Sequence, residues 1–304
     1  MGNLAAALQT TQCAICLTDD LDQELYPATF TSEDIAAEIF SARRMPDRVH
    51  YRIVVCKGCG LMRSSPVLTE ETLKHLYAQS HFTYVDIAPW ATATYLKYFK
   101  NAAGDAGKGV RILEIGCGNG DFLKGLVQDG YSNVHGIEPS AAAVSESAGV
   151  KGLIYQGVLT SGIYPEGHFD VIAGFQVFDH ISTPNDFLKD CRSYLKAHGK
   201  LLLIMHDIGA PMARILGRHC PMVDIEHPFL YNRKTLRKLL TGQGFTVESV
   251  FSVANTYPCW YWAQLLPAPQ GIKNRLVQWL KKSPLGQMAI SLNAGNMGIV
   301  VTKN

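Results

Sequence analysis

Short apolar runs rich in β-branched residues recur along the last two-thirds of the chain and are separated by amphipathic segments. The runs predict seven strands, near residues 110–115, 134–138, 153–156, 169–174, 200–206, 245–253 and 297–302. Among the helical segments, one has Thr183 as N-cap, Pro184 at its first position and an end at Gly199, and another begins at Asn232. Strands that alternate with helices are typical of a doubly wound, Rossmann-like sheet. The pattern therefore predicts an α/β domain over residues 109–304.

The first of these runs leads into a glycine-rich turn. Glu114 interrupts the run near its end, and three glycines follow at alternate positions: Gly116, Gly118 and Gly120. Glycines at a strand-to-helix turn let a ligand lie directly against the backbone. The dinucleotide fingerprint G-x-G-x-x-G requires a third glycine where this chain has Asp121. The turn therefore predicts a nucleotide-type ligand other than a dinucleotide, with a purely structural turn as the alternative.

The second run, VHGIE, ends in Glu138, about twenty residues beyond the glycines. In doubly wound folds a carboxylate at this position binds the hydroxyls of a ribose. Because a carboxylate has two oxygens, it can accept bonds from two vicinal hydroxyls. Glu138 therefore strengthens the prediction of a nucleoside ligand.

Composition changes this picture little. The chain has 304 residues, 47% of them hydrophobic and 18% charged, which are globular values that allow a substantial core. A net charge of +2 gives no electrostatic argument for a nucleic-acid partner. The longest aliphatic run, Leu201 to Met205, is too short to span a membrane, and no basic region precedes the first apolar residues. We therefore expect a cytoplasmic protein without an integral membrane segment, in which cysteines serve as ligands or core residues.

Two C-x-x-C pairs lie in the first sixty residues. Two such pairs match the tetrahedral site of a structural zinc ion, and the predicted ligands are Cys13, Cys16, Cys56 and Cys59. The gap between the pairs contains its own predicted helix, Ser32 to Ala42. Redox activity of one pair is the alternative, but no βαβ pattern surrounds either pair. We expect a zinc-binding module over residues 1–66 and a helical connector over residues 67–108.

These motifs carry a resemblance to a known family. From about Gly109 to Lys303 the chain resembles class I S-adenosylmethionine (SAM) methyltransferases, whose motif I is similar to the run E-x-G-x-G-x-G here. The stretch HPFLYNRKTLRKLLTGQGF is similar to the segment before the sixth strand in the small-molecule group of that family. The cysteine pairs, with CKGCG and a following Ser-Pro, resemble zinc-bearing members that include deoxysugar C-methyltransferases. This chain is too short for the further C-terminal domain of the deoxysugar enzymes, so their substrate is not carried over.

The resemblance implies SAM as the cofactor. The residues that it assigns to SAM binding are Glu114, Gly116, Cys117, Gly118, Gly120, Glu138, Pro139, Val158 and Gln176. Many relatives have an Asp at the position of Val158 that bonds the adenine amino group, so here we expect backbone N–H groups and the apolar walls around Val158 and Leu159 to hold adenine. The implied reaction is an SN2 transfer from the sulfonium, in which alignment and exclusion of water contribute on the order of 7–11 kcal/mol.

Three histidines are candidates for the catalytic base. His180, preceded by Asp179, follows the fourth strand, where the resembling enzymes usually have Glu-His. His206 ends the fifth strand, and His227 lies in the next loop. Doubly wound sheets bind their ligands at this edge. A structural, hydrogen-bonding role is the alternative for each histidine.

The segment 255–293 separates the sixth and seventh strands by almost forty residues. It contains an aromatic patch around Trp260 and an amphipathic basic helix around Leu276. A lid or wall for the acceptor, a homodimer contact, ordinary core and contact with a membrane surface all remain open.

The leading hypothesis is a SAM-dependent methyltransferase for a small metabolite, such as a sugar or a natural-product intermediate. The first alternative is an RNA methyltransferase whose zinc module grips nucleic acid, which predicts a clustered basic face. The acidic residues of the module count against it, namely Asp19, Asp20, Asp22, Glu24, Glu33 and Asp34. A non-catalytic SAM-binding protein is the second alternative, and the methylated atom (O, N or C) stays open.

Overall fold

The structure is a computed structural model that describes residues 8–30, 49–69, 72–73, 87–104, 107–266 and 269–304. The predicted helix Ser32 to Ala42 lies outside these residues. The strands are β1 (Leu8–Gln9), β2 (Asp22–Tyr26), β3 (Ile53–Cys56), β4 (Met62–Ser64), β5 (Val67–Leu68), β6 (Arg111–Ile115), β7 (Asn133–Glu138), β8 (Ile154–Gln156), β9 (Phe169–Phe175), β10 (Leu195–His206), β11 (Phe229–Leu230), β12 (Phe245–Pro258) and β13 (Ala289–Lys303). The α-helices are α1 (Ala88–Ala103), α2 (Asp121–Gln128), α3 (Ala141–Ser145), α4 (Pro184–Tyr194), α5 (Pro211–Leu216), α6 (Arg233–Gly242), α7 (Cys259–Gln264) and α8 (Gln270–Lys281).

Seven strands form one sheet in the order β12-β13-β10-β9-β6-β7-β8. The five strands from β10 to β8 are parallel, and β13 runs antiparallel to both of its neighbours. The order along the sheet reverses between β6 and β9, which is where doubly wound sheets open a crevice for ligands at their carboxyl ends. The predicted α/β Rossmann-like sheet is confirmed.

The strands are apolar because helices cover both faces of the sheet. One face packs against α4 and α6 and the other against α1 and α2, and each forms a large buried cluster. Thr183 and Pro184 begin α4 as predicted, but the helix ends at Tyr194 and not at Gly199. The chain leaves the helix early because Leu195 is buried and pairs with Phe169 as the first residue of β10.

The N-terminal segment forms a four-stranded sheet that also contains a strand of the α/β part. The order is β11-β4-β3-β2, and β11 pairs with β4 through Phe229 and Arg63. Arg63 is fully buried and donates to both carboxylate oxygens of Asp22, at 2.8 and 2.6 Å. Cys13 and Leu61 lie in the same buried cluster as residues of the large sheet. The segment is thereby held beside the carboxyl edge of that sheet.

The insert between the last two strands is shorter than predicted, since β12 and β13 extend well beyond residues 253 and 297. Their antiparallel pairing continues to Pro258 and Ala289, so the two strands form a long arm that ends in α7 and α8. Ile272, Leu276 and Trp279 are exposed on α8 and lie on one side of it, because they are four and three residues apart. Within the part of the chain that the structure describes, no helix is long and apolar enough to cross a membrane.

Candidate functional site

The turn between β6 and α2 has a backbone that favours glycine. Gly116, Gly118 and Gly120 have φ values of +70°, +55° and +73°, all in the left-handed region. A Cβ at Gly116 would lie 2.9 Å from Cγ2 of Val177, and one at Gly120 would lie 2.6 Å from Cγ2 of Val150. Both positions therefore require glycine, and the turn presents backbone atoms to a ligand.

Glu138 lies at the end of β7 and fixes the shape of this turn. Its Oε2 accepts from the N–H of Gly118 and its Oε1 from the N–H of Ser140, both at 2.8 Å. Burial raises the pKa of Glu138, and these two N–H groups oppose that shift. Since a carboxylate has about four lone-pair sites, each oxygen keeps one for a hydroxyl donor. The glycine turn and Glu138 therefore offer backbone atoms and two carboxylate acceptors to a ligand.

Three further residues predicted to bind SAM surround the turn. Glu114 is buried in β6, and Pro139 directly follows Glu138. The thiol of Cys117 lies under the turn, because a Cβ at Gly136 would be 2.6 Å from its Sγ. Burial raises the pKa of Cys117, which disfavours the reactive thiolate form.

Gln176 is the first residue after β9 and has φ +55°, which is unusual for a residue other than glycine. Its N–H donates to the carbonyl of Ile204 at 2.7 Å, which ties the position to the next strand. Its Oε1 is buried and has no hydrogen-bond partner among the described residues. A strained residue with an unsatisfied oxygen at a sheet edge is typical of a binding site. Val158 lies beyond β8 and is 38% exposed, so its apolar side chain is accessible to a ligand.

Three histidines and one aspartate converge at the carboxyl ends of β9 and β10. Asp179 and His180 lie on a short 3-10 turn, His206 is the last residue of β10, and His227 lies in the loop before β11. Nδ1 of His206 is 2.7 Å from Oδ2 of Asp179. The ring centroid of His227 is 4.6 Å from that of His180 and 4.8 Å from that of His206. The structure thus brings the three predicted base candidates together in what we call the histidine cluster, which comprises Asp179, His180, His206 and His227.

The hydrogen bonds of the cluster fix its protons. Burial acts to raise the pKa of Asp179, but the hydrogen bond and charge of His206 hold that pKa well below its usual range. Because an ionised carboxylate only accepts, Nδ1 of His206 carries a proton. Nδ1 of His227 lies 3.1 Å from the carbonyl oxygen of Met222, so it is also the protonated nitrogen. Burial, with the charge of His180, lowers the pKa of His227 well below its ordinary value, which keeps its ring neutral.

Sequence reasoning identified the histidines but missed the role of Asp179. The Asp-His pair after a strand was visible in the sequence, yet its carboxylate turned out to hold His206, twenty-seven residues away, and not the adjacent histidine. Asp207, which follows His206, pairs with Arg233 through Nε at 3.1 Å. It belongs to a neighbouring groove of about 690 Å³, whose lining combines polar and apolar residues and includes none of the clustered histidines.

The four cysteines predicted to bind zinc also come together. Their sulfur atoms all lie within 4.8 Å of one another, and none of the four is in a disulfide. The Sγ atoms of Cys13 and Cys59 are 3.4 Å apart, and those of Cys16 and Cys56 are 3.7 Å apart. Tetrahedral zinc with Zn–S bonds of about 2.3 Å requires sulfur separations of about 3.8 Å, so the cysteines fit this ion. A Cβ at Gly58 would lie 3.2 Å from Sγ of Cys16, which explains the glycine in the second pair.

Comparison with known proteins gives a family. A family model described as a methyltransferase domain matches residues 87–250. A solved SAM-dependent methyltransferase from Archaeoglobus fulgidus superposes with a TM-score of 0.50 at 16% identity and covers 77% of this chain and 100% of its own. At that identity the likeness concerns the fold alone.

Two curated enzymes are similar over shorter stretches. The ubiquinone biosynthesis O-methyltransferase of Roseobacter denitrificans is 33% identical over 99 residues, which is 30% of this chain and 39% of that enzyme. The tRNA U34 carboxymethyltransferase of Methylococcus capsulatus is 27% identical over 160 residues, which is 49% of this chain and 48% of that enzyme. The chain thus spans less than half the length of each.

Proposed function

Because the chain belongs to the methyltransferase-domain family, we propose that it is a class I SAM-dependent methyltransferase that acts on a small metabolite whose nucleophile meets the histidine cluster. SAM supplies an electrophilic methyl group when it is bound. The observation that carries the proposal is the convergence of Asp179, His206 and His227. The cluster lies beside the glycine turn, because Val177, two residues before Asp179, packs against Gly116.

Each part of the site has a task in this proposal. The glycine turn and Glu138 hold the nucleoside and amino-acid parts of SAM, and the apolar surface near Val158 lies against adenine. Asp179 and His227 are buried, and the imidazoles of the cluster assist the departure of the acceptor's proton. General acid–base help of this kind contributes typically about 10²–10⁴-fold.

The neighbouring groove supports a small polar acceptor, such as a sugar. Its lining includes Lys234, whose ammonium group donates hydrogen bonds, and Asn232, Ser252, Asn293 and Asn296, whose side chains can donate and accept them. A few placed polar groups in a concave surface are typical of small-molecule sites. The groove begins at Asp207, the residue after His206.

The substrate class is tested by incubating the protein with methyl-labelled SAM and two matched fractions, total RNA and RNA-free small metabolites. We expect label in the small-metabolite fraction, together with S-adenosylhomocysteine in equal amount. Label confined to RNA would instead favour an RNA methyltransferase. One of the similar enzymes is named as acting on tRNA. Retained SAM without label in either fraction would favour a non-catalytic SAM-binding protein.

We further propose that the four clustered cysteines hold a structural zinc ion. With four thiolate ligands the ion has no position left for water, so it stabilises the fold and takes no part in the reaction. Protein purified without added zinc should contain at least one equivalent of metal. The double variant Cys56→Ser/Cys59→Ser should lose one equivalent, whereas Cys259→Ser, a cysteine remote in sequence from both pairs, should lose none. Less than half an equivalent in the wild type would refute the site, as would a disulfide at either pair under reducing purification.

A further inference from the structure

The histidine cluster contains the donor atoms of a metal site that is separate from the cysteines. One ligand atom from each of Asp179, His206 and His227 lies within 4.8 Å of the other two. The residues come from three segments of the chain, namely a 3-10 turn, the end of β10 and the loop before β11. Two imidazoles and one carboxylate form a ligand set that suits divalent first-row transition metals.

The carboxylate of Asp179 lacks part of its hydrogen bonding. The side chain is 3% exposed, and its Oδ2 accepts from Nδ1 of His206. Its Oδ1 is buried and has no hydrogen-bond partner in the part of the chain that the structure describes. A buried carboxylate oxygen without a partner is costly. A bound cation would satisfy it.

His227 is oriented as metal-binding histidines usually are. A metal-binding imidazole typically donates its other N–H to a carboxylate or a backbone carbonyl, which fixes its tautomer and its direction. His227 does so to the carbonyl of Met222 and keeps Nε2 as its lone-pair donor. In His206 the ligand nitrogen is Nδ1, because it lies 2.7 Å from Oδ2 of Asp179 and the ion would take the place of the proton between them. The side chain of His206 is 30% exposed, so the cluster has an open side for a further ligand.

We propose that Asp179, His206 and His227 bind one divalent transition-metal ion, and that this ion binds an acceptor hydroxyl. The inference rests on the proposed function and narrows the acceptor to an oxygen nucleophile. The ion lowers the pKa of the hydroxyl, whose proton passes to solvent or to His180 beside it. An oxygen lone pair then forms the new C–O bond. The C–S bond breaks with its electron pair left on sulfur, which gives the neutral thioether.

The test counts metal ions and identifies their ligands with Co²⁺. Full-length protein is stripped by chelation and titrated with Co²⁺, with absorption spectra recorded and bound metal counted at each step. Thiolate ligands give intense charge-transfer absorption, whereas imidazole and carboxylate ligands do not. We expect two equivalents in the wild type, of which only one has the thiolate signature.

Conservative variants separate the two sites. Asp179→Asn and His206→Gln should each weaken binding of the second equivalent by about 100-fold or more and keep the thiolate one, which also shows that the variants are folded. Cys16→Ser should disturb only the thiolate equivalent, and Asp186→Asn, on the exposed side of α4, should change neither. A single thiolate-type equivalent in the wild type would overturn the inference, as would a second equivalent that persists in both cluster variants.

Metal counting requires neither SAM nor an acceptor, so it is independent of the proposed function. Absence of the second ion would refute this inference and leave SAM-dependent methylation in place. Two ions together with no methyl transfer would support the metal site and count against the proposed function alone.

Discussion

Replacement of His206 by alanine is expected to lower turnover by about 10²–10⁴-fold while the affinity for SAM stays unchanged. His206 is a partly exposed member of the cluster, and Asp179 holds its Nδ1 so that Nε2 faces away from the carboxylate. Its loss removes a group that activates the acceptor but none that contacts SAM. Steady-state kinetics with SAM calorimetry on the same preparation separates the two effects.

The control for this variant is His219→Ala, because His219 is exposed and lies outside the cluster. It should retain wild-type turnover. A loss of less than tenfold in His206→Ala would make His206 structural and move the catalytic role to His180 or His227. A parallel loss of SAM affinity would mean that the cluster shapes the cofactor site.

Replacement of Glu138 by alanine is expected to weaken SAM binding by about 10²–10⁴-fold. Two charge-assisted bonds to ribose hydroxyls are lost, each worth roughly 1.5–3 kcal/mol, and about 1.4 kcal/mol corresponds to a tenfold change in affinity. The N–H groups of Gly118 and Ser140 also lose their acceptor, so part of the effect comes from the turn itself. Calorimetry with SAM measures the change.

Two further variants serve as comparison and control for Glu138→Ala. Glu138→Gln keeps one acceptor oxygen and should lie between the wild type and Glu138→Ala in SAM affinity. Glu146→Ala, an exposed residue eight positions along the chain, should bind SAM as the wild type does. Unchanged affinity in a folded Glu138→Ala protein would exclude Glu138 from the ribose site.

Local sequence patterns predicted the seven strands of the large sheet, the glycine turn and the three histidines. The apolar runs predicted the seven strands because parallel strands are buried on both faces, and the glycines marked the turn because their φ values are positive. Asn232 caps α6 as expected and forms a capping box with Thr235. His180 and His206 were found because each lies at or just after a strand end on the ligand-binding edge, and His227 because it lies in the loop that follows β10.

Features that depend on contacts distant in sequence were not predicted. The end of α4 at Tyr194 is set by the pairing of Leu195 with Phe169, which no local signal shows. The extended arm of β12 and β13 was missed because a shift in strand register after Val253 interrupts the alternation of apolar and polar residues in β12. The two-residue strand β11 is too short to have a period, although it joins the N-terminal sheet to the α/β part. The hydrogen bond between His206 and Asp179 could not be predicted, because it depends on β9 and β10 being neighbours in the sheet.

The central claim is that SAM binds across the glycine turn and directs its methyl group at the histidine cluster. A crystal structure of the full chain with S-adenosylhomocysteine tests this most directly. We predict that the ribose hydroxyls contact Glu138, that the backbone of the turn lies against the ligand, and that the sulfur faces His206. A ligand bound instead in the groove beyond Asp207, or one whose sulfur faces away from the cluster, would contradict the account.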